Sequence, residues 1–175
     1  PKELDLAANI ELAREFVQKE FVRRGMIADM AIHRDCDKNG EPQPHAHILL
    51  TFRTVNESGF GQKVREWNSK ENLLCWREAW AETANRHLAL HGHDICIDHR
   101  SNVDRGIALE PQYKIGTQVA QHKMARMADH ERIARENGDR ILADPEIALD
   151  ALTRQQSTFT HHDLACVVLA VIGAL

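Results

Sequence analysis

Three histidines at short intervals are the residues of this sequence best suited to chemistry. His45 and His47 are separated by one alanine, and His33 lies twelve residues before His45. Imidazole nitrogens bind divalent metal ions, and a site with only three such ligands keeps positions vacant, which is typical of a catalytic rather than a structural site. An ion held in this way acts as a Lewis acid on a phosphoryl oxygen. The pattern therefore suggests metal-assisted phosphate chemistry, if the three side chains meet.

The elements around these histidines predict that they do meet. Residues 26–33 and 45–54 alternate apolar and polar side chains, which predicts two strands, and the turn-rich segment 34–44 between them contains Asn39-Gly40 and favours an antiparallel hairpin. The alternation places Ala46, Ile48, Leu50 and Phe52 on an apolar face. The three histidines then share the opposite, open face. A lone His-x-His on a strand is more often a pair of surface histidines, and the third histidine at the facing strand end argues for a metal site.

The rest of the chain reads as helices with a few short connections. Residues 5–24 and 69–90 show helical periodicity, with Asp5 as the N-cap of the first, and the apolar face of the second comprises Leu73, Trp76, Trp80, Ala84 and Leu88. We predict a loop at 55–63, a short strand at 94–98, and helices at 117–136, 145–153 and 160–171. This order predicts an α+β fold, an antiparallel sheet with helices packed on one face, followed by a helical C-terminal extension. The predicted domains are 1–116 and 117–175.

Composition restricts the class of protein. The 175 residues are 43% hydrophobic and 27% charged, with a net charge of −4, so the chain can bury a core and has no general basic excess for nucleic acid. The four cysteines are scattered singly, which favours free thiols in a reducing compartment. The apolar run at 166–175 is much shorter than the roughly 20 residues of a membrane helix. We expect a cytoplasmic protein with no membrane association.

Several motifs in order resemble the MobA/MobL family of plasmid relaxases, the conjugal-transfer nickases that include the rhizobial and agrobacterial type fused to a helicase. The resemblance covers about residues 1–116. It rests on the segments MIADMAIH, PHAHILLTFR, GFGQKVREWN, WREAWAETANRHL and HDICIDHRS.

The resemblance implies a specific activity. Relaxases of this type bind single-stranded DNA at a transfer origin, together with other relaxosome proteins, and cleave one strand of the plasmid. A tyrosine attacks the phosphate and stays joined to the 5′ end. A three-histidine site holds Mg²⁺ or Mn²⁺, and His33, His45 and His47 match that motif. The implied fold is an open antiparallel sheet with DNA on the sheet face.

The nucleophilic tyrosine of the family lies near the N-terminus, on or just after a first strand. The single tyrosine of this sequence, Tyr113, lies in the segment EPQYKIG, and we assign it no catalytic role. Because the sequence starts at Pro1 and ends in CVVLAVIGAL, we expect a fragment that keeps the metal site and lacks the nucleophile. A processed but complete protein is the alternative.

Further polar residues are candidates for supporting roles. Arg53, on the open face by strand parity, and Lys63, Arg65 and Arg100 are candidate contacts for DNA phosphates. Asp98 of the DHRS segment is a candidate for orienting a metal-bound imidazole, and fixing the loop after a strand is an equally good interpretation. Asp35 and Asp37 are interpreted as turn formers, although they lie close to the histidines.

Two other functions fit parts of the pattern. A histidine-triad nucleotide hydrolase also begins with His-x-His on a strand, but it needs a further histidine where this sequence has Leu49. A metal-binding module that binds nucleic acid without cleaving it fits the absence of an assigned nucleophile.

Overall fold

The computed structural model describes residues 1–36, 40, 42–112, 120–154 and 159–171, and it divides into two compact units, Pro1–His99 and Arg100–Leu175. Among these residues, the first unit contains two α-helices and four strands, and the second contains three α-helices. The predicted domain boundary at 116–117 lies outside the described residues. The helices and strands are α1 (Leu6–Glu20), β1 (Ala28–Cys36), β2 (Pro42–Leu50), β3 (Arg53–Asn56), β4 (Gly59–Lys63), α2 (Lys70–Leu90), α3 (Ala120–Ala143), α4 (Glu146–Thr153) and α5 (His161–Val171).

Helix α1 begins where the sequence predicted and ends earlier. The Asp5 carboxylate accepts a hydrogen bond from the Ala8 amide at 2.8 Å, which satisfies one of the free N–H groups of the first turn. The helix ends at Glu20, and a single 3₁₀ turn, Val22–Arg24, follows it. Gly25 closes this turn with φ of 94°, a left-handed conformation that glycine adopts without a Cβ penalty.

Strands β1 and β2 form an antiparallel hairpin, as predicted. The strands are longer at the turn end than the sequence suggested, because residues 34–36 pair with residues 42–44 in the same ladder. Asp35 is therefore a strand residue paired with Gln43, and its interpretation as a turn former was wrong. Gly40 has φ of 83°, which suits the predicted Asn39-Gly40 turn. Asn39 and Asp37 lie outside the described residues.

One face of this hairpin packs on both helices of the first unit, which confirms the predicted α+β class. Side chains from the sheet and helices enclose a core of four buried residues, Phe16, Val17, Phe21 and Met26, against which Ala28, Met30, Ile48, Leu50, Trp76 and Trp80 pack. The rings of Phe16 and Trp80, and of Phe21 and Trp76, meet edge to face at centroid distances of 5.1 and 5.0 Å. These two tryptophans are thus partly buried and pack against the core, in agreement with the inward position that their helical spacing predicted. Leu73 was wrongly placed on the apolar face, because 54% of its surface is exposed.

The sheet ends at Thr51, where a long second strand was predicted. The Thr51 hydroxyl accepts a hydrogen bond from the Ile27 amide and donates one to the Arg53 carbonyl, at 3.0 and 2.9 Å. The Thr51 amide still donates to the Ile27 carbonyl at 3.1 Å, but the Thr51 hydroxyl takes the place of the Thr51 carbonyl as the partner of the Ile27 amide, and the chain turns away from β1. Phe52 therefore leaves the predicted apolar face and is 43% exposed.

The predicted loop at 55–63 is instead a second antiparallel hairpin, β3–β4. Its glycines concealed it from sequence analysis, because glycine is depleted in strands. Gly61 has a structural reason to be glycine, since a Cβ atom there would lie 2.5 Å from the Thr54 hydroxyl oxygen. Gly59 follows the turn with φ of 101°.

The strand predicted at 94–98 is absent apart from a single bridge residue, Ile95. The segment is held to α2 by side chains instead. The Asn85 amide donates to the Ile97 carbonyl at 2.9 Å and accepts from the Ile97 N–H at 2.6 Å, and Arg77 donates to the His99 carbonyl at 2.8 Å. The side chain of Asn85 thus satisfies the backbone groups that a strand partner would otherwise satisfy.

The second unit has a small core of its own. Helix α3 starts at Ala120 and runs to Ala143, beyond the predicted end at 136, and α4 and α5 confirm the two later helices. Asn137 of α3 is 1% exposed and bonds both the N–H and the carbonyl of Glu110, at 2.9 and 2.7 Å. Among the residues of this unit whose burial the structure describes, the buried apolar ones are Ile107, Leu109, Ile133, Ala148 and Leu152.

The cysteines agree with the sequence prediction. All four cysteines are free thiols. Within the described ranges, no helix has both the length and the apolar character that crossing a bilayer requires.

A charged clasp joins the two helices of the first unit. Glu15 of α1 accepts hydrogen bonds from His87, at 2.9 Å, and from Arg86, both on α2. The hydrogen bond from His87, and next the one from Arg86, hold the pKa of the Glu15 carboxyl below its ordinary value. The folded state therefore favours the carboxylate, and this contribution to stability is present above the unfolded pKa of about 4.5 and is lost as the pH falls through the lower, folded pKa.

We expect Glu15→Gln to lower the free energy of unfolding at neutral pH and to flatten its decline on acidification below pH 4.5. Urea titrations followed by tryptophan fluorescence test this, since Trp67, Trp76 and Trp80 all lie in the first unit and report its unfolding. Glu11→Gln is the matched control, because Glu11 is an exposed residue of the same helix. Equal pH profiles for both variants would contradict the role of the clasp.

Candidate metal centre

The register of the β1–β2 hairpin brings the three histidines together. His33 is directly paired with His45, and His47, two residues along β2, is paired with Ala31. Because side chains alternate along a strand, all three imidazoles lie on the open face, opposite the face that packs on the helices. The predicted convergence is therefore observed.

The three rings are close enough to share one ion. Their centroids are 5.1 Å apart for His33 and His45, 4.8 Å for His33 and His47, and 5.1 Å for His45 and His47. One ring nitrogen from each lies within 4.8 Å of the others, and all three residues are exposed. Metal–imidazole bonds are about 2.0–2.1 Å for zinc, so three nitrogens at this spacing surround a point that an ion can occupy with small side-chain rotations.

The orientation of one imidazole is fixed by the backbone of its own strand. Nδ1 of His45 lies 2.9 Å from the carbonyl oxygen of Gln43. A carbonyl oxygen only accepts, so Nδ1 carries the hydrogen and, in the neutral ring, Nε2 keeps its lone pair. This is the arrangement by which metal-binding histidines are usually oriented. Asp35 lies on the same face, with its carboxylate oxygen 3.7 Å from Nε2 of His45.

The open face next to the histidines is an uncovered strip of strand surface. Asp29 pairs with Leu49 one step further from the turn, and a shallow groove of about 270 Å³ lies beside His47 among these side chains. Leu49 is 74% exposed. This side chain occupies the position at which a histidine-triad hydrolase needs its further histidine.

The predicted basic residues fall into two different settings. Arg53 belongs to β3 rather than to the sheet face, and its guanidinium donates to the Gly61 carbonyl at 3.0 Å, so it braces the second hairpin. Its placement by strand parity was wrong because the chain turns at Thr51. Lys63 and Arg65 instead line a separate pocket, together with Phe52 and Asn68, which sequence analysis did not identify as functional residues. Phe52 was missed because the predicted strand buried it.

Asp98 and Arg100 remain predictions. Asp98 is half-buried in the segment that Asn85 and Arg77 anchor to α2. In the part of the chain that the structure describes, the group of residues close enough to share a metal ion consists of the three histidines, without Asp98. Arg100 begins the second unit. Tyr113 lies outside the described residues.

Comparison with known proteins identifies the family. The sequence profile described as the MobA/MobL family matches residues 1–126, which is more than half of the chain. The chain belongs to the MobA/MobL family. The matched residues include the whole first unit, with its two α-helices, its two hairpins and the three histidines.

Curated relatives of this MobA/MobL chain are named for conjugal transfer and mobilization. The Conjugal transfer protein TraA of Agrobacterium fabrum is 34% identical over 96% of this chain and 18% of its own length. The Mobilization protein MobL of Acidithiobacillus ferridurans is 31% identical over 91% of this chain and 52% of its own length. The chain thus spans about a fifth of the first relative and about half of the second.

A solved structure shares the fold. The chain described as "Molecular Basis of Vancomycin Resistance Transfer in Staphylococcus aureus" matches with a TM-score of 0.50 and 36% identity, over 58% of this chain and 53% of that chain. This match agrees with the predicted α+β fold.

The hydrogen bond to Gln43 predicts the tautomer of His45. In the metal-free chain we expect neutral His45 to carry its proton on Nδ1, because the carbonyl oxygen accepts only from a protonated nitrogen. The ¹⁵N chemical shifts of the imidazole nitrogens at alkaline pH measure this directly, with assignment by comparison to His45→Gln. A proton on Nε2 would contradict the orientation described above.

Proposed function

We propose that this chain supplies the metal-binding part of a conjugative relaxase, which acts in the cytoplasm on single-stranded DNA at a plasmid transfer origin with other proteins of the transfer complex. The observation that carries the proposal is the cluster of His33, His45 and His47 on an open sheet face in a chain of the MobA/MobL family. The names of the relatives, conjugal transfer protein and mobilization protein, agree with it.

The donor set fits a divalent ion. Three imidazoles supply neutral nitrogen ligands, and the hydrogen bond from His45 to Gln43 leaves its Nε2 free to bind. Because all three residues are exposed, the side of the cluster away from the strands is open to a substrate. We propose Mg²⁺ or Mn²⁺ as the ion, and when bound it supplies Lewis acidity toward an oxygen of the scissile phosphate.

The residues of the chain then position the DNA. Among the described residues of the first unit, no helix covers the open face, so a DNA strand can lie along the histidines and the exposed strip at Leu49. We include in the proposal phosphate contacts from Lys63, Arg65 and Arg100, and an orienting role for Asp98. Arg53 contributes to the shape of the second hairpin through its bond to Gly61 rather than through a free guanidinium.

Strand cleavage in a relaxase requires a tyrosine oxygen that attacks phosphorus, displaces the 3′ oxygen and remains joined to the 5′ phosphate. We propose that Tyr113 does not have this role, so that this chain alone binds metal and DNA without forming the covalent product. A nucleotide hydrolase of the histidine-triad type is disfavoured because exposed Leu49 stands where that chemistry needs an imidazole.

The metal site is tested by calorimetry with Mn²⁺ on the whole chain. We expect one binding site, and its loss in the double variant His45→Ala, His47→Ala, because only His33 of the cluster remains. The double variant His91→Ala, His93→Ala is a matched control, since it removes another His-x-His pair that lies outside the cluster. Retention of the site in the first variant, or its loss in the control, would place the metal elsewhere.

The relaxase function is tested with a labelled oligonucleotide that carries a transfer origin. We expect single-stranded DNA to bind at least about tenfold more tightly with Mn²⁺ than with EDTA, a difference of about 1.4 kcal/mol, and this gain to disappear in the His45→Ala, His47→Ala variant. Equal affinity in both conditions would overturn the proposal, and so would hydrolysis of nucleoside phosphates by the chain. Denaturing electrophoresis detects any covalent adduct, and an adduct that Tyr113→Phe abolishes would assign Tyr113 the nucleophilic role.

A further inference from the structure

A polar pocket, separate from the groove beside His47, lies at the junction of the two hairpins and α2. Its lining consists of Phe52, Lys63, Arg65 and Asn68, and its volume is about 350 Å³, within the range of roughly 300–1,000 Å³ of small-molecule sites. Phe52 precedes β3, Lys63 ends β4, and Arg65 and Asn68 lie in the 3₁₀ turn Arg65–Asn68 that leads into α2. None of these residues belongs to the histidine cluster.

The backbone holds the aromatic and basic residues of this pocket in place. The Val64 amide donates to the Phe52 carbonyl at 2.9 Å, which fixes the two chain segments side by side. The Lys63 ammonium lies 5.8 Å from the centre of the Phe52 ring, within the range of a cation–π contact. With the lysine in this position, 43% of the Phe52 surface is still exposed. A flat apolar surface and a positive charge are thus presented together.

The polar groups of the pocket are not committed elsewhere in the protein. Within the described residues, the side chains of Lys63, Arg65 and Asn68 form no hydrogen bond or ion pair, whereas Arg53, the neighbouring cation, is bonded to Gly61. The carboxylate of Glu66, which lies between Arg65 and Asn68 in sequence, does not line the pocket. The lining therefore carries two positive charges and no negative one.

We propose that this pocket binds one unpaired nucleotide of a single-stranded DNA, with its base against Phe52 and its phosphate between Lys63 and Arg65. An exposed ring accepts any base by stacking, and two cations neutralise a phosphodiester. The Asn68 amide has both a donor and an acceptor to offer to a base edge. This site deepens the proposed function, on which it rests for the identity of the strand, and it does not require the metal.

The test is fluorescence anisotropy with a labelled twelve-residue oligothymidylate in EDTA, so that the histidine cluster is not involved. We expect Phe52→Leu to weaken binding about 5- to 150-fold, the effect of removing one stacked base, while it keeps an apolar side chain for folding. An abasic oligonucleotide of the same length should bind both proteins equally. Phe60→Leu is the control, because Phe60 is 68% exposed on the same hairpin and lies outside the pocket.

The charges are tested by salt dependence. Lys63→Ala and Arg65→Ala should each reduce the slope of log affinity against log salt by about 0.7, the value for one phosphate contact on a single strand, and Lys70→Ala should leave the slope unchanged. If Phe52→Leu and Phe60→Leu weaken DNA binding equally, or if Phe52→Leu weakens binding of the abasic strand, the proposed nucleotide pocket is wrong. A parent chain that fails to bind the oligonucleotide in EDTA would also overturn it.

These outcomes separate the pocket from the metal centre. If Phe52→Leu has the expected effect and Mn²⁺ adds no affinity for DNA, the pocket stands and the relaxase proposal fails. If Mn²⁺ binding and metal-dependent DNA affinity are present but the Phe52 and Phe60 variants behave alike, the relaxase proposal stands and the pocket is refuted.

Discussion

The register of the β1–β2 hairpin is the constraint on which the rest of the first unit depends. His33 and His45 are opposite each other only in this register, and a slip of one residue would turn every side chain of one strand to the other face. Such a slip would expose Met30 or Ile48, which now pack against the aromatic core, and would bury a histidine. The hydrophobic face therefore fixes the geometry of the polar face, on which the three imidazoles lie.

The end of this sheet at Thr51 is a second constraint on the structure of the first unit. One hydroxyl takes over the bond that the Ile27 amide would otherwise make to a strand, and the chain turns into a second hairpin. Phe52, the first residue after the turn, is thereby exposed beside Lys63 instead of buried beside Leu50. The hydrogen bonds of the Thr51 hydroxyl thus place on the surface a phenylalanine that the alternation pattern predicted to be buried.

Sequence analysis succeeded where one strong local rule applied. Alternation identified the first hairpin and its two faces, and helical spacing, with the cap at Asp5 for the first helix, identified both helices of the first unit. It failed where local contacts replace regular backbone pairing. The Thr51 hydroxyl ends the predicted strand, Gly61 of β4 lies close to Thr54 of β3, and Asn85 bonds Ile97 in place of a strand partner. The histidine cluster could be predicted because its residues share one hairpin. The pocket at Phe52 could not be predicted, since its residues come from the end of one predicted strand, from a predicted loop and from the segment before α2.

A short piece of chain joins the histidine cluster and the pocket at Phe52, and in the proposed function this would limit how a DNA strand lies on them. His47 and Phe52 are five residues apart, so their Cα atoms lie no more than about 17 Å from each other even in extended backbone. A single strand spans such a distance in a few nucleotides. A strand with one base on Phe52 therefore has a nearby phosphate within reach of the histidines, and the pocket can set which phosphate that is. Positioning by a stacked base and activation by a metal ion would then be separate tasks of neighbouring parts of the first unit.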